Sequence, residues 1–365
     1  MRLSHWNVYH FSLPLLHPFT THQGSLQERE GIIVEGVSED GQSGWGECVA
    51  FSTPFYTEET VDTAWFMLND LLLSKISSDD PSNISHVFSQ YQGHPMAKAA
   101  IEMAIWDLKA KQGNHPLYHY VGGIRDQIST GVVISLKENW KEKVDKYKEQ
   151  GYQRYKLKIN KENAYEHLNT FRTFYPDLPL MIDGNGAYRP DEMAAILALD
   201  DFKLLMIEQP FRAGDFYWHA QLQEKMKTSI CLDESIKSYE DGKQAYFMRS
   251  GKSINIKIGR VGGWREALSL HQFLYEKKIS LWVGGMVETG ISKAHSLALA
   301  SLPGFMIPGD LSPSDRFWDR DFVYPSIQIN QGKISLPNKP GIGFEVDREF
   351  VEKQSIRKNK IKLMG

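Results

Sequence analysis

Residues 154–159 read RYKLKI, 178–183 LPLMID, 203–208 KLLMIE, 229–233 SICLD and 253–257 SINIK. Each is a short apolar run with a charged residue at or beside its end: Lys158, Asp183, Glu208, Asp233 and Lys257. The steps between those residues are 25, 25, 25 and 24, one strand-plus-helix unit each time. Further strand-like runs stand at 131–135 (GVVIS), 279–283 (ISLWV) and 305–308 (FMIP). Helical text separates them, such as KENWKEKVDKYKEQ, which stops at Gly151. Eight strands alternating with helices predict an α/β chain closed into a barrel, with a doubly wound open sheet as the alternative. In a parallel barrel every strand end emerges on one rim, where active sites of this architecture lie.

The flanks read differently. RLSHWNVYHFSL and GIIVEGVS are rich in β-branched and aromatic residues. A helix is expected to start near Thr57, with Glu58 and Glu59 in its first turn. A second covers MAKAAIEMAIWDLKAKQ, with Ala97, Ile101, Ala104, Ile105 and Leu108 on one stripe. This predicts an α+β unit over residues 1–125, a barrel over 126–311, and a segment 312–365 that returns to the first unit. Hydrophobic residues at 41% and charged residues at 24% exclude disorder and collagen. Two cysteines, Cys48 and Cys231, exclude a disulfide framework. A net charge of -3 gives no electrostatic footprint for nucleic acid. The N-terminal text is broken by His, Asn, Ser and Pro before a secretion-signal core could form, and no apolar run is long enough to span a membrane. The expected setting is the cytoplasm, with no membrane and no nucleic-acid partner. A homo-oligomer is compatible with the sequence.

The charged strand ends carry the chemistry. Side chains alternate along a strand, so Lys156 and Lys158 share one face. The rim then presents lysine, three carboxylates and a second lysine. Three carboxylates crowded in a partly desolvated mouth repel one another, and a hard divalent cation relieves that repulsion. Oxygen-only ligation suits Mg²⁺, with Mn²⁺ plausible, rather than zinc. Such a cation would hold a small-molecule carboxylate substrate, and a lysine beside it could exchange a proton with that substrate. Taken singly, each residue has a plainer reading: a solvated rim lysine, or an acid capping a helix. Their unbroken order at consecutive strand ends favours the joint reading. GNGAYR lacks the third glycine of a dinucleotide loop, GRVGG lacks the Lys-Ser/Thr of a P-loop, and no G-x-S-x-G or H-E-x-x-H occurs. The glycines of GGM (284–286) leave two readings open: close backbone approach to a ligand, or simple turn chemistry.

KLK, IDGN, IEQP, LDES and NIKIGRVGG together resemble the enolase superfamily, and within it the muconate-lactonising subgroup. The likeness runs through SLQERE, GWGECVAFSTPFYTEET, VGGMVETGIS and PGDLSPSDRFW, nearly the whole chain. It implies a (β/α)7β barrel capped by an α+β domain built from both termini. It implies Mg²⁺ on Asp183, Glu208 and Asp233, α-proton abstraction by Lys158, stabilisation of the resulting enediolate by Lys257 from the opposite face, and electrostatic help from Lys156. Asn185, Glu234 and Arg260 would support that site. Ser135, Phe19, Phe51, Tyr56, Gly285, Met286 and Glu288 would contact substrate, with loops around 19–23 and 51–56 closing over it. The capping-loop text is most similar to the branch that dehydrates a succinylated hydroxycyclohexadiene carboxylate for menaquinone biosynthesis. A sister branch racemises N-succinylamino acids. The subgroup often shows Asp-Ala-Asn and Lys-Pro-Ser-Arg where this chain has Asp183-Gly184-Asn185 and Lys257-Ile258-Gly259-Arg260. A Schiff-base aldolase barrel using Lys158 or Lys257, and a non-catalytic metal-binding protein, are the competing classes.

Overall fold

A computed structural model of the chain describes residues 2–21, 24–76, 83–136 and 138–363. The N-terminal part lays down three antiparallel strands, β1 (Leu3–Thr21), β2 (Gly24–Ser38) and β3 (Ser43–Cys48). Alternation along β1 sends Trp6 and Val8 to one buried face and Tyr9, Phe11 and Leu13 to the other. Both faces of this sheet are therefore covered, one by the cap's own helices and one by the barrel.

Helix α1 (Pro95–Gln112) lies across β3. Its buried surface is broader than the single stripe expected, because Ala99, Ala100, Met103 and Ala110 are buried as well as Ala97, Ile101, Ala104, Ile105 and Leu108. Gly46 explains the close fit: a Cβ there would come within 2.0 Å of the Ala100 carbonyl oxygen. The helix expected from Thr57 starts later. Thr60 is its N-cap, in a capping box with Thr63, and the α-helical part runs Val61–Phe66. Glu59 instead serves α1, accepting from the amides of Met96 (2.7 Å) and Ala97 (2.8 Å). The residue before α1, His94, supplies no side-chain cap. Glu59→Ala is therefore expected to lower stability by about 1–2 kcal/mol, read as a shifted urea midpoint at constant slope. An unchanged midpoint would show that water replaces the carboxylate without loss.

The barrel wall is a seven-stranded parallel sheet in strict chain order: β4 (Gly131–Ile134), β5 (Arg154–Lys158), β6 (Leu180–Asp183), β7 (Met206–Glu208), β8 (Ser229–Leu232), β9 (Ser253–Ile256) and β10 (Ser280–Val283). The expected eighth strand at 305–308 is not regular. Its place is taken by irregular backbone that bridges Phe305 to Leu281 on one side and Gly309 to Thr130 on the other. The Gly131 amide donates to the Gly309 carbonyl at 2.8 Å and the Asp310 amide to the Val283 carbonyl at 3.2 Å, so the ring still closes. Inward-facing Met181, Met206, Cys231 and Trp282 form a small core of their own inside the barrel. Outward-facing Leu180, Ile182, Ile207 and Ile230 join the large core beneath the helices. Past the barrel, β11 (Ser355–Lys362) returns to pair with β1 and complete a four-stranded capping sheet. Within the intervening stretch, Lys333–Ser335 pairs with Gln127–Ser129 at the start of the barrel. No helix among the described residues is long and apolar enough to cross a membrane.

Candidate active site

Strand register sets the heights of the charged residues. Lys158 pairs with Asp183, and Asp183 with Glu208, so these three lie level across β5, β6 and β7. Glu208 is level with Cys231, which places Asp233 two residues higher on the next stave. The inward face of β5 stacks three cations: Arg154, Lys156 and Lys158. Arg154 is fully buried over Trp282, donating to the Pro308 carbonyl (2.9 Å) and Asp310 Oδ1 (2.6 Å).

Lys156 gathers the acids. Its Nζ lies 2.7 Å from Asp183 Oδ2, 2.7 Å from Glu208 Oε2 and 3.1 Å from Asp310 Oδ2. Burial alone would lower this lysine, but the three acids hold it well above the usual range. Glu208 is wholly buried, and burial reinforced by neighbouring Asp183 pushes its carboxyl up to about 8. Asp233 faces the other way. It accepts from Lys257 Nζ at 2.9 Å and from Arg260 Nη1. Burial would raise Asp233, yet Arg260 and Lys257 bring it down to about 2. Lys257 is correspondingly raised and also meets the Tyr56 hydroxyl at 3.1 Å, which Arg260 Nη1 reaches at 3.2 Å.

The two rim lysines thus differ. Lys257 is buried and tightly paired. Lys158 sits at the open end of β5 with the Phe19 ring 5.4 Å from its Nζ. Partial desolvation, then the charge of Lys156, lower Lys158 below the ordinary lysine range. Such a lysine gives up its proton more readily than its buried counterpart.

The other expected residues fall in two groups. Asn185 donates to Glu234 Oε1 at 3.2 Å, its own amide donates to Asp183 Oδ1 at 3.0 Å, and its φ of 42 marks a bent turn after β6. Ser135 is exposed just past β4, and Met286 is half-buried. Phe51 is buried in packing against Phe55. Glu288 is also buried, accepting from Ser292 Oγ (2.6 Å) and the Met286 amide (3.3 Å). His22 and Gln23, part of the first expected closing segment, lie outside the described residues. The glycines at 284 and 285 approach protein, not open space. A Cβ on Gly284 would meet Lys257 Cε at 2.6 Å, and one on Gly285 the Asp310 carbonyl oxygen at 2.3 Å.

Asp310 and Asn255 are site residues that the sequence reading missed. Asn255 Nδ2 donates to Glu208 Oε1 at 3.0 Å. The strand-end rule would have found Asp310, but the eighth stave is too irregular to announce its end.

The donor set suits a hard cation. Glu208 Oε2, Glu234 Oε2 and Asn255 Oδ1 are buried oxygens without a hydrogen-bond partner, although Lys156 lies at ion-pair distance from the first. Asp183 and Glu208 converge on one positive charge, the Lys156 ammonium. Among the described residues, no three His, Cys, Asp or Glu side chains are gathered as a ready-made metal site, and Asp233 is paired with Lys257 and Arg260.

The class defined by this fold and rim is a capped parallel barrel with acids at consecutive strand ends and a lysine on either side. Family models agree with it: the enolase C-terminal domain-like model matches residues 139–350, and the mandelate racemase / muconate lactonizing enzyme N-terminal domain matches residues 7–122. The chain belongs to this family within the enolase superfamily. It is 43% identical over 351 residues to an o-succinylbenzoate synthase of Bacillus subtilis, covering 95% of each chain. It is 36% identical to an N-succinylamino acid racemase of Thermus thermophilus, over 98% of each. A crystal structure of an enolase-superfamily member from Listeria innocua superposes with a TM-score of 0.94 at 39% identity, covering 100% of both chains. Enzymes of this superfamily typically use Mg²⁺.

Proposed function

We propose that this protein is an o-succinylbenzoate synthase. It dehydrates 2-succinyl-6-hydroxy-2,4-cyclohexadiene-1-carboxylate to 2-succinylbenzoate in menaquinone biosynthesis, as a Mg²⁺-dependent carbon–oxygen lyase. Asp183, Glu208 and Asp233 would hold the cation. When bound, Mg²⁺ supplies positive charge that offsets the second negative charge growing on the substrate carboxylate as its α-proton leaves. Lys158 Nζ takes that proton. The same ammonium then protonates the departing hydroxyl, so water leaves and the ring becomes aromatic. Lys257, fixed on Asp233 and Tyr56, remains a cation opposite and stabilises negative charge. Lys156 keeps the acids from repelling one another. Asn185, Glu234 and Arg260 orient the acids, while Phe19, Tyr56, Ser135 and Met286 face the substrate. Phe51, Gly285 and Glu288 shape the loops that carry these contacts. The setting is the cytoplasm, and this reading is compatible with a homo-oligomer.

The observation that carries the choice is the inequality of the two lysines. Syn elimination needs one proton carrier and tolerates a fixed partner, whereas two-base racemisation needs both lysines to exchange protons. Lys158 stands exposed at the rim, lowered by partial desolvation and the nearby Lys156 charge, whereas Lys257 is buried in an ion pair with Asp233 and raised. The test is turnover of the cyclohexadiene with and without Mg²⁺, beside α-proton exchange of N-succinylamino acids in D₂O. Dehydration that depends on Mg²⁺ and outpaces exchange is expected. Exchange at equal or greater kcat/KM would make racemisation the main activity. Borohydride trapping of substrate on a lysine, with activity insensitive to EDTA, would replace both with aldolase chemistry.

A further inference from the structure

Arg29 lies on β2 of the cap and is fully buried, yet it forms no ion pair among the described residues. Its guanidinium spends its donors on three backbone carbonyls. Nη2 donates to Val49 and Nη1 to Ala50, each at 2.7 Å, and Nε donates to Val287 at 2.8 Å. The Phe51 ring lies 4.5 Å beneath its Cζ. The first two carbonyls begin the loop that ends with Tyr56 on Lys257 Nζ. The third belongs to the segment after β10, whose Gly284 packs against Lys257 Cε. Both loops therefore adjoin the same lysine, and one cap side chain joins a loop of the cap to a loop of the barrel.

The planar fork of arginine suits this task. It offers fixed, diverging donors that a single ammonium cannot match. A second buried cap residue grips the same barrel segment further along. Glu47 on β3 accepts from the Thr289 amide (3.1 Å), the Thr289 hydroxyl (2.7 Å) and the Ser292 amide (3.1 Å) at the start of helix α2 (Gly290–Ala300). Glu47 thus holds the far end of the segment whose near end Arg29 reaches at Val287.

We propose that Arg29 is a positioning residue that locks the 49–56 and 284–289 loops to one another and so sets the closed mouth of the site. Its effect on catalysis rests on the function proposed above; its effect on the loops does not. It touches no reacting atom, and its removal acts through loop placement.

The experiment compares wild type, Arg29→Lys and Arg29→Met by steady-state kinetics and by hydrogen exchange of the full-length protein. In Arg29→Met, KM should rise about tenfold while kcat changes by less than about threefold, because substrate capture is weakened and the chemistry is not. Exchange should quicken in 49–56 and 284–289 together, with β6 to β8 unchanged. Arg29→Lys should recover part of the KM loss. A KM within about twofold of wild type, or quickened exchange in one loop only, overturns the proposal. Should Arg29→Met not fold, Arg29→Lys decides alone. Faster exchange in both loops supports the lock, and exchange identical to wild type refutes it. Should wild type fail to dehydrate the cyclohexadiene, the proposed function falls while the exchange result still judges Arg29.

Discussion

Lys158→Ala is expected to reduce kcat for dehydration by about 10²–10⁴-fold, the usual contribution of a positioned general base. The loss should fall on kcat and leave circular dichroism and Mn²⁺ affinity close to wild type, since Lys158 stands exposed at the open end of β5. Lys257→Ala should behave differently. Lys257 is buried against Asp233 and Tyr56, so its removal leaves Asp233 with Arg260 alone and disturbs the lid as well as the chemistry. A Lys158→Ala enzyme retaining more than about a tenth of wild-type kcat would remove Lys158 from its role as base.

The second large effect is expected at Glu208. Glu208→Gln keeps shape and removes one carboxylate from the proposed cation site. Activity at subsaturating Mg²⁺ should fall by about 10²–10³-fold or more, comparable to loss of a preorganised electrostatic contact. Titration with Mn²⁺ should show matching weakening of metal affinity. Stability of the metal-free protein should change by less than about 1 kcal/mol, because the buried glutamate carries its own desolvation cost. Lys156 also keeps Asp183 and Asp310 as partners. Full metal affinity in this variant would place the cation elsewhere.

Much of this was legible because barrel chemistry is written at strand ends. Lys158, Asp183 and Glu208 were spaced by one βα unit, and they stand level in register for that reason. Alternation put Met181 below Asp183 and Met206 below Glu208, inside a barrel whose outward residues are aliphatic. The eighth stave was misread because an apolar run such as FMIP announces burial, not ladder hydrogen bonds. Glu59 was misplaced because a carboxylate near a helix start suits whichever helix the fold brings to it, and here that was α1.

The sequence by itself determined the barrel, the chemical type of each rim residue and the order in which the rim presents them, because strand periodicity is a local property of the chain. Only the tertiary structure decided which charges meet. Asp233 stands one layer above Glu208 and turns to Lys257 and Arg260, and Asp310 joins Lys156 from the far end of the barrel sequence, brought near by ring closure. It also decided that Arg29 would bind carbonyls of two loops that are 237 residues apart in the chain, from Ala50 to Val287. Electrostatic partners are set by distance in space, and local pattern carries no record of that distance.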